Sequence, residues 1–162
     1  MIVMRRTLSL LPLGLGLSAL VGAMALPAPS HGQGRDAGVE PGILVIMRGL
    51  RSDRGFASAG LYDSAATWTH SGQEVATCHG PVSHGVSRCR LEGVGPGRYA
   101  IGVMHDEDGD GHFDTGFLGI PDEGYGFSRD ARGTLSAPSF ESAAFDYAGG
   151  FQALLITMRY GV

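Results

Sequence analysis

The chain has 162 residues, with 27 glycines, 8 prolines, two cysteines and a formal charge of −4. Its 12 basic residues are all arginines, scattered among glycines and acids, so it lacks the basic stripe on which nucleic-acid binding depends. The length suits one domain with one core and requires no second.

In chain order, Arg5 and Arg6 precede an apolar run from Leu8 to Leu26, broken by Pro12, Gly14 and Gly16 and ending in the small-residue pattern Ala23-Met24-Ala25. Residues 1–25 therefore read as a secretory signal peptide, removed after Ala25. The alternative is a retained anchor, since the run approaches the roughly 20 apolar residues that span a bilayer. Cleavage would leave a chain carrying 10 arginines against 16 acids, near −6, without a stable membrane span. Residues 26–41 are rich in Pro, Gly and Ser and read as a flexible leader. The expected location is periplasmic or secreted.

The domain is expected over residues 42–162. Ile43 to Met47 is a β-branched-rich apolar run bounded by Gly42 and Gly49, which predicts a buried strand. A turn at Arg51 to Gly55 then predicts a hairpin with a second strand, Phe56 to Tyr62. Alternation there puts Ala57, Ala59 and Leu61 on one face and Phe56, Ser58 and Tyr62 on the other. Trp68 follows in a polar stretch, either at the surface or in the core.

Cys78 and Cys89 are the only cysteines, and export into an oxidising compartment predicts a disulfide between them. A zinc or copper site from Cys78, His79, His84 and Cys89 is the alternative, although its spacing matches no usual zinc pattern. Val86 to Leu91 predicts a strand, the Gly93 to Gly97 run a turn, and Arg98 to Met104 another strand, with Tyr99, Ile101, Val103 and His105 sharing one face.

From the end of that strand leaves an acidic run, His105 to Asp114, with carboxylates at every second position. Asp106, Asp108 and Asp110 can converge on one hard cation, Gly111 supplies a bend, His112 offers its carbonyl, and Asp114 binds directly or through water. Phe117 stands where a calcium loop carries its closing glutamate, so Glu123 is the candidate to complete the shell. Four converging aspartates need a counter-charge, because two like charges about 4 Å apart repel by roughly 1 kcal/mol in water and about 4 near a protein surface. Calcium suits an oxygen-rich loop better than magnesium does. The competing reading is a solvated turn with splayed aspartates.

More than thirty residues with little regular structure follow, but Phe113, Phe117, Tyr125, Phe127 and Phe140 predict an ordered loop. Ser139 can cap a helix of at most two turns ending near Phe145. Phe151 to Tyr160 predicts a long strand that closes the sheet, with Leu154, Ile156, Met158 and Tyr160 on one face. Short strands and frequent glycine turns predict an all-β fold: a single antiparallel β-sandwich, prealbumin-like or immunoglobulin-like, with one long ordered loop and at most one short helix.

The segments Gly97 to Ala100, His105-Asp106, Gly111, Asp114, Phe117 to Pro121, Glu123 to Ser128, Pro138 to Phe140 and Ala143 to Phe145 closely resemble the bacterial domain-of-unknown-function family 2141. The resemblance covers nearly all of the expected domain. It implies an exported bacterial protein of small β-sandwich type, similar to transthyretin-like and carboxypeptidase-regulatory domains, and no established activity. Asp108 and Asp110 stand where the family usually has asparagines, and Asp122 where a basic residue is common. The cysteine pair falls outside the shared pattern.

Three functions follow as expectations. The first is a non-enzymatic binding or structural module of the cell envelope, with an envelope ligand or protein as partner and calcium rigidifying the loop. The second is ligand recognition without metal, of a glycan or peptide, through Trp68, Tyr125 and Phe127. The third is a hydrolase using His105 beside Asp106, for which the chain offers no nucleophile elbow, zinc-protease helix or phosphate loop.

Overall fold

The computed structural model describes residues 40–112, 121–134 and 136–161. The expected signal peptide, nearly all of the expected leader, Asp114 and Phe117 lie outside the described residues. Among the described residues no helix is long and apolar enough to cross a membrane.

The domain is all-β. Its strands are β1 (Gly42–Arg48), β2 (Phe56–Tyr62), β3 (Ala76–Ser83), β4 (Val86–Leu91), β5 (Gly97–Asp106), β6 (Gly124–Phe127), β7 (Phe145–Tyr147) and β8 (Phe151–Thr157). They form one curled sheet in the order β6-β5-β2-β3-β4-β1-β8, with β7 on β5. The sheet bends into a half-barrel whose edges are tied by one bridge: Tyr125 and Arg159 exchange two backbone hydrogen bonds of 2.8 Å. The chain's last segment therefore closes the sheet, as its alternation predicts.

Two expectations are corrected. The sheet is mixed, because β8 runs parallel to β1, from Gly42 beside Phe151 to Arg48 beside Thr157, so a purely antiparallel sandwich does not describe it. β1 and β2 also form no hairpin. β1 pairs with β4 and β8, whereas β2 pairs with β3 and β5. The Arg51 to Gly55 turn carries the chain across the core instead of folding it back beside itself.

β3 is the corner of the curl. Its first part pairs with β2 from Ala76 to Pro81, and its last two residues, Val82 and Ser83, pair with β4. At the crossing a Cβ on Gly80 would sit 2.3 Å from the Arg88 carbonyl oxygen, so only glycine allows the two backbones to pass. The Ser87 hydroxyl donates to the Gly80 carbonyl at 3.0 Å and secures the crossing. The Cys78–Cys89 disulfide, with Cα atoms 5.6 Å apart, clamps the same corner, and so removes the zinc or copper alternative.

The concave side holds the main core: Ile43, Val45 and Met47 of β1, Ala57, Ala59 and Leu61 of β2, Ile101 and Val103 of β5, with Ile156 and Met158. The alternations predicted for β2, β5 and β8 are those observed, and β1 is the buried strand its apolar run predicts. A second cluster covers the opposite face of β2 and β5, where Tyr62, Trp68, Ala100 and Phe140 pack together with Ala143 and Ala144. Trp68 is 8 % exposed, its indole N–H donating to the Pro138 carbonyl at 2.7 Å, so it belongs to a core and not to an exposed recognition surface. The one-turn helix α1 (Phe140–Ala143), capped by Ser139, brings Phe140 to this cluster.

Candidate functional site

The acidic loop leaves β5 at its buried C-terminal end. His105 and Asp106 are both fully buried, and Phe56 of β2 pairs with Asp106 across the ladder. The alternating aspartates fold into successive side-chain-to-backbone turns. Asp108 Oδ1 accepts from the Asp110 N–H at 3.2 Å and Asp110 Oδ1 from the His112 N–H at 2.7 Å. Gly109 and Gly111 take φ of 81° and 80°, left-handed values that let their N–H groups turn back onto the start of the loop. There they donate to Asp106, Gly109 to Oδ1 at 2.6 Å and Gly111 to Oδ2 at 2.8 Å.

Glu123, on the far side of the loop and immediately before β6, is 5 % exposed. Its Oε1 accepts from the Glu107 N–H at 3.1 Å. The result is a trio, Asp106, Asp108 and Glu123, each offering a carboxylate oxygen within 4.8 Å of the others. Asp106 and Glu123 enter from the buried side and Asp108 from the exposed side. Three carboxylate oxygens thus converge from two chain segments, a group that could hold a hard divalent cation as part of its shell.

Of the predicted ligands, then, the structure brings together Asp106, Asp108 and Glu123. Asp110 stays outside the trio, exposed, with its carboxylate turned to the His112 amide. His112 is likewise exposed, and Asp114 lies outside the described residues.

Arg51 and Glu107 are participants that pattern reading does not single out. The Arg51 Nε donates to Glu107 Oε2 at 2.8 Å, its Nη2 forms an ion pair with the same oxygen, and the Ser52 hydroxyl donates to Oε1 at 2.5 Å. The Arg51 guanidinium, chiefly by hydrogen bonding, holds the Glu107 carboxyl down at about 2. Nη2 of Arg51 also donates to the Asp122 carbonyl at 2.9 Å, so one side chain joins both arms of the loop. The residue pairs are 56 and 71 positions apart in sequence, which no local motif reveals.

His105 is occupied structurally. Its Nε2 lies 2.9 Å from the Arg54 carbonyl, which can only accept, so Nε2 carries a hydrogen. Nδ1 is hydrogen-bonded to the Tyr160 hydroxyl at 2.7 Å, and that hydroxyl accepts the Arg51 N–H at 3.0 Å. Burial pushes the Tyr160 phenol above its usual range, which keeps its proton available for this bond. With both ring nitrogens engaged and the ring fully buried, His105 braces the strand end and is not presented to a substrate.

No curated protein and no solved structure matches the chain. A family model does: the one described as "Uncharacterized protein conserved in bacteria" (DUF2141) matches residues 45–153, which include the acidic loop, Glu123 and the cysteine pair. With well over half of its length matched, the chain belongs to this bacterial family of unknown function.

Proposed function

We propose that the protein is an exported, non-enzymatic binding module of the bacterial cell envelope, and that calcium holds its acidic loop in place. The observation that carries the metal reading is the pair of buried carboxylates, Asp106 and Glu123, gathered with Asp108 within 4.8 Å. Carboxylates so close repel one another by an amount that grows as water is excluded. Backbone N–H groups from Gly109, Gly111 and Glu107 orient the Asp106 and Glu123 oxygens but bring no net positive charge. Arg51 is committed to Glu107. A divalent cation would offset this repulsion, and the all-carboxylate donor set suits calcium, which tolerates irregular oxygen coordination, over magnesium.

Such an ion would pin the end of β5 to the turn before β6 and fix the segment between them. Export is supported by the arginine pair, apolar run and small-residue cleavage pattern at the N-terminus, and by a disulfide at the sheet corner. A binding role is favoured over catalysis because His105, the histidine at the base of the loop, is buried with both ring nitrogens engaged.

Thermal unfolding of the full chain in chelator, in calcium and in magnesium tests the reading. Calcium should raise the melting temperature progressively with concentration, by RT ln(1 + [L]/Kd), with magnesium much weaker. An identical melt in all three conditions would count against it.

A further inference from the structure

β8 forms one side of the sheet, and among the described residues its only strand partner is β1. In that parallel ladder the Gly42 N–H donates to the Gly150 carbonyl at 2.8 Å and the Met158 N–H to the Arg48 carbonyl at 2.8 Å. These two bonds fix the alternation along the strand. Gln152, Leu154 and Ile156 turn their backbone groups toward β1, and Phe151, Ala153 and Leu155 turn theirs away. Thr157, of the second set, gives its outward N–H to Asp130 Oδ1 at 2.8 Å, so the open edge ends there. The Tyr125–Arg159 bridge lies beyond that point and ties only the far end of this side.

An open edge is a template for another strand, and proteins ordinarily blunt it with a charge, a proline or a bulge. β8 has neither a charged residue nor a proline between Phe151 and Thr157. The residues with outward backbone groups also carry the outer face: Ala153 and Leu155 stand beside Leu44 and Ile46 of β1, opposite in direction to the buried Ile43, Val45 and Met47. Phe151 and Leu155 are 44 % and 47 % exposed, two of the three exposed large apolar side chains among the described residues. One five-residue stretch therefore presents unpaired backbone and exposed apolar side chains together.

We propose that β8 pairs antiparallel with β8 of a second copy of this chain, about a two-fold axis at Ala153, so that two sheets become one. The strand is complementary to itself in this register. Ala153 faces the second copy's Ala153, Phe151 faces its Leu155, and Leu155 faces its Phe151. The residues that face each other are those whose N–H and C=O groups point outward, so each facing pair exchanges two hydrogen bonds. The smallest side chain of the stretch sits on the axis, where identical residues must meet, and the larger ones form cross-strand pairs of Phe against Leu. No like charges meet across the axis, because the strand has none. An unrelated extended peptide satisfies the backbone alone, whereas the second copy also matches side-chain size and charge. The contact is short, below the roughly 1,200 Å2 of standard interfaces, so the dimer is reversible. The proposal does not depend on the metal reading.

Sedimentation velocity of the full chain from about 1 µM to about 1 mM should show a reversible equilibrium between monomer and dimer. Ala153→Lys sets two like charges opposite each other at the axis, and Ala153→Pro deletes an N–H that β1 does not use. Each should weaken the dimer at least about tenfold while the melting curve stays cooperative. Cysteines then read the register, because the chain's own two are joined to each other and facing Cα atoms in such a pair lie about 5.5 Å apart. Under mild oxidation Ala153→Cys should cross-link with itself. Phe151→Cys and Leu155→Cys should cross-link when mixed, and each much more slowly alone. A chain that stays monomeric throughout the range, a dimer that both Ala153 variants leave intact, or Gln152→Cys cross-linking as fast as Ala153→Cys would overturn the proposal.

Discussion

Arg51 and Glu107 form the clamp that shapes the acidic loop: the guanidinium binds the carboxylate through two nitrogens, while its centre lies 4.5 Å from the centroid of the Tyr160 ring. Glu107 in turn gives its N–H to Glu123, so the ion pair, the buried glutamate and the C-terminal tyrosine are parts of one assembly. This places a cationic residue beside the loop without spending it on the converging carboxylates of Asp106, Asp108 and Glu123.

The clamp has an acid signature. Glu107 titrates at about 2 in the folded chain against an ordinary 4.5. A depressed folded value contributes stability that is fully present above about pH 4.5 and is lost as pH falls toward 2. Glu107→Gln should therefore destabilise by about 1 kcal/mol at neutral pH, discounted because Arg51 is half exposed, and the gap from the wild type should close on acidification. Urea unfolding at a series of pH values reads this directly; a gap that stays constant from pH 6 to pH 3 would refute it.

Tyr160→Phe removes a hydroxyl that serves His105 Nδ1 and the Arg51 N–H at once. The buried Nδ1 then loses its hydrogen-bond partner, a loss of about 1–3 kcal/mol in chemical unfolding. Changing His105 to Phe as well should cost less than the sum of the two single changes, because the pair acts as a unit. Strict additivity would show that the two are not coupled.

The disulfide at the β3 corner should matter through the unfolded chain. Cys78 and Cys89 are 11 residues apart, and closing a loop of that size contributes about 2–3 kcal/mol. The double change to Ala should lower the unfolding midpoint accordingly while the far-ultraviolet circular dichroism spectrum stays that of a β protein. An unchanged midpoint would mean the corner is secured by the Gly80–Ser87 crossing alone.

What was legible in the sequence follows the range of each interaction. β2, β5 and β8 declare their buried faces by alternation, and the buried residues fall where that alternation puts them, whereas β1 declares itself only as an apolar run. Strand partnership is a long-range property, which is why a turn at Arg51 to Gly55 suggested a hairpin that does not exist. β3 was hidden because Gly80 and Pro81 read as punctuation, yet the glycine is needed for a crossing and the proline falls on the stretch of β3 that pairs with β2. β6, with two glycines in four residues, was hidden for the same reason. At the site, spacing marked Asp106, Asp108 and Asp110 alike, and Glu123 was the candidate to complete the shell. The structure gathers Asp106, Asp108 and Glu123 and turns Asp110 to the His112 N–H, since alternation cannot distinguish a carboxylate that converges from one that caps a neighbouring N–H. Trp68 stood open between surface and core among its polar neighbours because Phe127 and Phe140, which with Tyr62 enclose it, come from distant segments.

The most direct measurement is calorimetric titration of calcium into the chelator-treated full chain, alongside Asp106→Asn, Glu123→Gln and Asp110→Asn. The account predicts one saturable site, lost in Asp106→Asn and Glu123→Gln but retained in Asp110→Asn, whose carboxylate lies outside the trio. The absence of binding to the wild-type chain, or binding abolished by Asp110→Asn and indifferent to Glu123→Gln, would contradict it.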